Sequence, residues 1–194
     1  MDVQAPLTGF VVAGGLSRRM GSDKALLPWE GTTLLDHAIT RLREASGSVR
    51  LLSGPEPRYA ERGVPVDTDL VRDVGAIAAL HTALERAPGP ALLLAVDLPH
   101  VPVTLLRRIA ELVREFDAVV PVSPGGPEPL CAAYGPRCRD AVHRALDRGT
   151  YKLTAFWPEV RVREISTSDL AAFGDPVRLF ANVNTPEEYE RARS

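Results

Sequence analysis

The six residues Ala91-Leu92-Leu93-Leu94-Ala95-Val96 limit this chain more than any others. The run is unbroken by a polar residue, too short for an independent helix, and stopped on one side by Pro88-Gly89-Pro90 and on the other by Asp97. A continuous apolar run of that length reads as a strand covered on both faces, as in a parallel sheet with helices on each side. A second such run, within Thr8–Ala13, opens the chain. Between and after them, apolar residues recur at helical spacing over Thr33–Ala45, Gly75–Ala87, Val103–Glu115 and Pro136–Arg148. Further strands are expected at Val49–Ser53, Val64–Val66, Ala118–Val122, Leu130–Tyr134 and Leu179–Val183, and an edge strand at Val160–Ile165, where apolar and charged residues alternate. Strands alternating with helices predict a doubly wound, mostly parallel α/β sheet with helices on both faces. In such sheets ligands bind outside the carboxyl ends of the strands.

Two features leave predicted carboxyl ends. After the first strand the chain reads Ala13-Gly14-Gly15-Leu16-Ser17-Arg18-Arg19-Met20-Gly21-Ser22-Asp23-Lys24. Two glycines let the backbone approach an anion closely and present successive N–H groups to it. Arg18, Arg19 and Lys24 add fixed positive charge suited to a polyphosphate. The loop is neither a Walker A motif, since no Gly-Lys-Ser/Thr closes it, nor a dinucleotide fingerprint, since its third glycine is misplaced. After the apolar hexapeptide comes Asp97-Leu98-Pro99-His100-Val101-Pro102. A carboxylate delivered there by a buried strand suits Mg²⁺ that bridges phosphates. Asp67, Asp69 and Asp73 form an acidic cluster that also reads as turn residues and helix caps.

The bulk numbers agree with a small anionic ligand. The 194 residues amount to one domain, taken here as 1–194, and 45% hydrophobic content supplies a core. A net charge of −2 gives no general attraction for nucleic acid or a membrane surface. Cys131 and Cys138 lack metal-site spacing, and Cys131 sits in an apolar run, so a buried thiol is expected. With no secretory leader or long apolar span in the sequence, a reducing cytoplasm is the expected setting. His37, His81, His100 and His143 are scattered, with no pair at metal spacing, and read as structural. Met1–Pro6 reads as a disordered lead.

The glycine-rich string resembles the signature of the molybdenum cofactor guanylyltransferases, Leu-Ala-Gly-Gly-x-Ser-x-Arg-Met-Gly-x-Asp-Lys, with Val12 in place of leucine. Three further elements extend the resemblance over nearly the whole chain. Asp97, Pro99 and Pro102 match Cys-Asp-x-Pro-x-x-Pro, with Val96 for cysteine. Pro129–Tyr134 is similar to a Pro-Leu-x-Ala-x-Tyr element, and Asn182-Val183-Asn184-Thr185-Pro186-Glu187 to Asn-x-Asn-Thr-Pro-Glu. The chain departs from that family at Asp73-Val74-Gly75-Ala76-Ile77, where Gly-Pro-Leu-Ala-Gly is usual, and at Ser53-Gly54, where asparagine is common.

The resemblance implies a sugar-nucleotide-transferase-like fold and transfer of GMP from GTP to the terminal phosphate of molybdopterin, releasing pyrophosphate. It implies nucleotide contacts by Val12, Ala13, Gly14, Gly15, Ser17, Lys24, Asp69 and Asp97, catalysis by Lys24, Arg19 and Asp97, and Mg²⁺ on Asp97. Of Asn182 and Asn184, one orders the loop and the other reaches the phosphates or metal. Lys152 is either a contact for acceptor phosphate or a solvated surface lysine. Molybdoenzymes or their chaperones are the expected transient partners. Two rival readings stay open: a related transferase with another base or acceptor, such as a molybdenum cofactor cytidylyltransferase, and a non-catalytic nucleotide-binding regulator.

Overall fold

The computed structural model describes residues 5–15 and 23–193. In chain order they form β1 (Thr8–Val12), β2 (Pro28–Trp29), β3 (Thr32–Thr33), α1 (Leu34–Ser46), β4 (Ser48–Leu52), β5 (Val66–Asp67), α2 (Ile77–Arg86), β6 (Ala91–Ala95) and α3 (Val103–Leu112). There follow β7 (Ala118–Ser123), β8 (Gly126–Pro127), β9 (Cys131–Tyr134), α4 (Cys138–Asp147), β10 (Val162–Ile165), α5 (Thr167–Leu170), α6 (Pro176–Leu179) and α7 (Pro186–Arg193). The main sheet runs β10-β7-β9-β6-β1-β4-β5, with β8 paired to β7. All its path pairings are parallel except those of β9, which runs antiparallel between β6 and β7.

The first five residues of the apolar hexapeptide form β6, in the middle of this order, with Leu92, Leu93 and Leu94 at most 1% exposed. Burying each such side chain contributes about 1.5–3 kcal/mol. Alternation along the strands divides the core between the two faces. Val11, Leu51, Leu92 and Leu94 pack with α1 and α3, while Phe10, Leu52, Leu93 and Tyr134 pack with α2 and α4. The register carries the functional consequence. Val12 of β1 pairs with Leu52 of β4 and with Ala95 of β6, and Leu52 pairs in turn with Asp67 of β5. Four strands therefore end in one row, and the residues after them, Ala13–Gly15, Ser53–Gly54, Thr68–Asp69 and Val96–Asp97, leave the sheet along one edge.

Most predicted elements appear within a few residues of their expected bounds, and β10 is at the sheet edge. Leu179–Val183 is a correction: no strand forms there. Asp175 accepts a hydrogen bond from Val177 N (3.0 Å) and Pro176 occupies the first turn, so α6 runs to Leu179. Leu179, Phe180 and Val183 are buried all the same, which accounts for the apolar signal without sheet pairing. The β2–β3 hairpin was not expected; Glu30 and Gly31 turn it with positive φ at both positions (44° and 81°). Residues 1–4 of the expected lead lie outside the described residues.

Candidate active site

Asp23 and Lys24 return the glycine-rich loop to the fold. Asp23 Oδ1 accepts from Ala25 N (3.1 Å) and caps a short 3-10 helix, Lys24–Leu26. Its Oδ2 accepts from the Tyr59 hydroxyl (2.7 Å). So anchored, Lys24 donates from Nζ to Asp97 Oδ2 at 2.6 Å and to Asn184 Oδ1 at 2.9 Å. Residues 73 and 160 positions away in sequence thus meet one ammonium. Val183 N donates to the Asp97 carbonyl (3.0 Å), docking the Asn182–Thr185 segment on the end of β6.

The start of α7 holds Asn184. Thr185 Oγ1 accepts from Glu188 N (3.2 Å), and Glu188 Oε2 accepts from Asn184 N (2.7 Å). The pair is a capping box in altered form: the glutamate reaches the residue before the cap and so fixes an asparagine of the site. The Lys24 and Asp97 side chains are only 13% and 18% exposed. Sequestering such a pair costs desolvation that its mutual attraction barely offsets, so it is weak as a stability device. It is better suited to act on charge brought by a ligand.

Beside this cluster, along the same sheet edge, lies a cleft of about 620 Å³ lined by Val12, Gly14 and Gly15, by Gly54 and Glu56, by Asp69 and by the start of α2. Backbone contact shapes it. A Cβ on Gly14 would stand 2.7 Å from Gly54 Cα, and one on Gly54 2.9 Å from Gly14 Cα, with Gly54 also at φ +82°. Neither position admits a side chain without moving the other loop. Arg58 donates to Ala13 O (2.8 Å) and Ser53 O (3.3 Å), joining the two loops from behind. Asp69 N donates to Gly54 O (2.8 Å), bringing a third loop into the set. Burial raises the Asp69 carboxyl above its ordinary value.

The helix α2 faces the cleft with an N-terminus that has no side-chain cap. Ala78 N in the first turn donates to Gly75 O (3.1 Å), and the positive end of the helix dipole suits an anion. The chain reaches this start through Asp73 and Gly75, both at positive φ (60° and 74°), so the turn forms without the Gly-Pro of the resembling family. Another cavity, of about 430 Å³, lies at the opposite edge by Leu7, Gly89 and Pro90, far from these loops in the register.

Glu128 is a further carboxylate at the site that the sequence did not single out for chemistry. Burial raises its carboxyl above the ordinary range; a hydrogen bond from Ser123 Oγ (2.7 Å) works against this, and the Asp97 charge adds to it. Its neighbour Leu130 lines the cleft and accepts from Ala95 N (2.8 Å).

Comparison with known proteins identifies the group to which this geometry belongs. Residues 9–162 match the MobA-like NTP transferase domain. The chain belongs to the MobA-like NTP transferase family. A probable molybdenum cofactor guanylyltransferase of Pelotomaculum thermopropionicum is 34% identical over 187 residues, covering 96% of this chain and 91% of that protein. The crystal structure of molybdopterin-guanine dinucleotide biosynthesis protein A from Archaeoglobus fulgidus superposes with a TM-score of 0.81 at 26% identity, covering 95% of this chain and 96% of that one. Rv0371c of Mycobacterium tuberculosis H37Rv, crystallised as a complex with manganese, gives a TM-score of 0.67 at 26% identity over 97% and 98% of the two chains.

Within this transferase the predicted site residues divide into groups. Lys24, Asp97 and Asn184 meet; Val12, Gly14, Gly15 and Asp69 line the cleft. Ala13 is 4% exposed, its N–H bonded to Leu52 O and its carbonyl to Arg58, so it holds the loop instead of lining the cleft. Asn182 is exposed, two residues before the asparagine that meets Lys24. Lys152 is exposed between α4 and β10, and no contact among the described residues brings it to the cluster. Ser17 and Arg19 lie outside the described residues, as does Arg18. Asp67 is structural: Arg50 binds it at 2.6 and 2.8 Å and Arg86 at 3.2 Å. Arg58 and Tyr59, which brace the loops, carried no sequence signal.

Proposed function

We propose that this transferase moves GMP from GTP to the terminal phosphate of molybdopterin and releases pyrophosphate, acting as one nucleotidyltransferase domain. The observation that carries the reaction class is the meeting of Lys24, Asp97 and Asn184 beside the cleft of Gly14, Gly15 and Asp69. The choice of guanine and molybdopterin is supported by the relatives named guanylyltransferase. In the reaction an oxygen of the acceptor phosphate bonds to the α-phosphorus as the bond to the bridging α–β oxygen breaks. The acceptor oxygen is already ionised, so no general base is needed.

The chain's residues position and neutralise. The backbone at Gly14 and Gly15 and the start of α2 receive the nucleotide, with Asp69 as a contact on the same wall. Lys24 exchanges its bond to Asp97 for phosphate oxygens and offsets the charge that develops on them. Arg19, from the same loop, is assigned to the pyrophosphate. Asn184 orients Lys24, and Asn182 and Lys152 are assigned to the acceptor side.

The donor set fits a hard divalent cation: a carboxylate at Asp97, the amide oxygen of Asn184 and a second carboxylate nearby at Glu128 are all oxygen ligands. Asp97 would hold Mg²⁺, which, when bound, withdraws charge from the phosphoryl oxygens. The manganese complex of Rv0371c supports a divalent cation in this fold. No helix among the described residues is long and apolar enough to cross a membrane, in keeping with work in the cytoplasm and transfer of product to molybdoenzymes or their chaperones.

The test is pyrophosphate release with molybdopterin and GTP, CTP, ATP or UTP in competition at one Mg²⁺ concentration. GTP is expected to dominate. A preference for CTP overturns the base and leaves the reaction class standing; binding without release of pyrophosphate would make the protein a regulator.

A further inference from the structure

α2 and α4 pack against each other over Ala83, Leu84, Ala141, Val142 and Ala145. At the outer margin of that contact three ligating groups converge, away from the residues assigned to catalysis. His81 and Glu85 are four apart and share one face of α2. His143 projects from α4. His81 Nε2 lies 3.0 Å from His143 Nε2, and Glu85 Oε1 lies 3.1 Å from that same nitrogen. All three donor atoms are within 4.8 Å of one another. Sequence spacing concealed this, because the histidines are 62 positions apart.

Protons serve the trio poorly. A hydrogen on His143 Nε2 satisfies one neighbour at a time, and a hydrogen on His81 Nε2 sets Glu85 against the lone pair of His143. One cation accepts lone pairs from all three. We propose that His81, Glu85 and His143 form a site for one divalent transition-metal ion of the zinc class, which clamps α2 to α4.

Two imidazole nitrogens and one carboxylate oxygen suit zinc, cobalt or nickel and do not suit Mg²⁺. Metal–ligand bonds of about 2.0–2.2 Å place neighbouring atoms of a tetrahedral site about 3.3–3.6 Å apart, so the two contacts to His143 Nε2 need open by only a few tenths of an ångström. Arg139 donates to Leu84 O (2.6 Å) and lies 3.3 Å from Glu85 Oε1, which orients the carboxylate. His81 Nδ1 is buried without an acceptor among the described residues, so the site lacks the usual support behind one ligand and is expected to be reversible. Because the first turn of α2 borders the nucleotide cleft, the clamp would fix that wall.

The experiment takes the full chain, stripped by chelator and then kept in excess Mg²⁺ to fill oxygen sites. Co²⁺ is titrated in, and ligand-field absorption and Tm are followed. One equivalent is expected to bind and raise Tm, with Asp97→Asn behaving like wild type. His143→Gln, half-exposed and mild, is expected to weaken Co²⁺ by at least about 10–100-fold, and Glu85→Gln to weaken it too. No uptake by wild type, or equal uptake by the His81→Gln, His143→Gln double variant, overturns the site.

Discussion

The charge cluster and the cleft lie side by side on one sheet edge, yet they are built in opposite ways. The cluster is made of side chains: Lys24, Asp97 and Asn184 come from three distant segments and meet at Lys24 Nζ. The cleft is made of backbone: Gly14 lies against Gly54, Gly54 O accepts from Asp69 N, and Arg58 ties the loop carbonyls. A side-chain site can lose its chemistry and keep its shape, whereas a backbone site loses its shape first. The cluster should therefore yield variants defective in turnover with normal folding, and the cleft variants defective in binding or stability.

Asp97→Asn sets the largest effect. It keeps the size and much of the hydrogen bonding of the side chain but removes its charge. Turnover should fall by about 10³ and lose its Mg²⁺ dependence, while nucleotide binding through the cleft persists. Wild-type turnover and metal dependence in this variant would move the metal elsewhere. Lys24→Ala should cost on the order of 10²–10³ in turnover with the fold intact, as for loss of a preorganised electrostatic donor. Because the two groups are in contact, the double variant should fall well short of the product of the single effects. Multiplicative losses would show that they act separately.

The glycines test the other half. Gly14→Ala pushes a methyl into the backbone of Gly54 and should lower stability by about 1–3 kcal/mol, read as a lower denaturation midpoint with weaker nucleotide binding. Gly15 has nothing within 4 Å of its added Cβ, so Gly15→Ala should leave the free protein's stability unchanged and weaken nucleotide binding alone. Equal stability losses in the two variants would refute the backbone account of the cleft.

The contrast also explains what the sequence disclosed. Buried strands, helical stripes and the ends that deliver Gly14 and Asp97 are written in local patterns, and local patterns give a parallel sheet and its functional edge. Contacts between residues far apart carry no such pattern. Nothing near Pro57 announces that Arg58 and Tyr59 hold the loop, and four scattered histidines conceal the pair at α2 and α4. Leu179–Val183 misleads for a related reason: burial produces the same apolar run whether or not a strand pairs. Ser53-Gly54 stands where asparagine is common in the resembling family, and only the approach of Gly14 gives Gly54 a physical role.

Asp69 is expected to give the smallest effect and the finest test, because it belongs to the cleft by position and to the cluster by charge. Burial raises its carboxyl above the ordinary value of 3.8. The folded state thus holds the Asp69 proton more tightly than the unfolded chain does. Its stabilising contribution is complete below 3.8 and is lost as pH rises through the higher folded value. At neutral pH the ionised side chain therefore opposes folding slightly. Asp69→Asn should raise Tm by a small amount at neutral pH, and this gain should shrink toward zero as the solution is acidified below the ordinary carboxylate value. The same substitution should weaken nucleotide binding, since Asp69 is assigned a nucleotide contact. Thermal melts across the acidic range, paired with nucleotide titrations at neutral pH, measure both. A pH-independent loss of Tm would mean that Asp69 serves the loop structure, and the charge would then belong to the cleft's scaffold instead of its ligand.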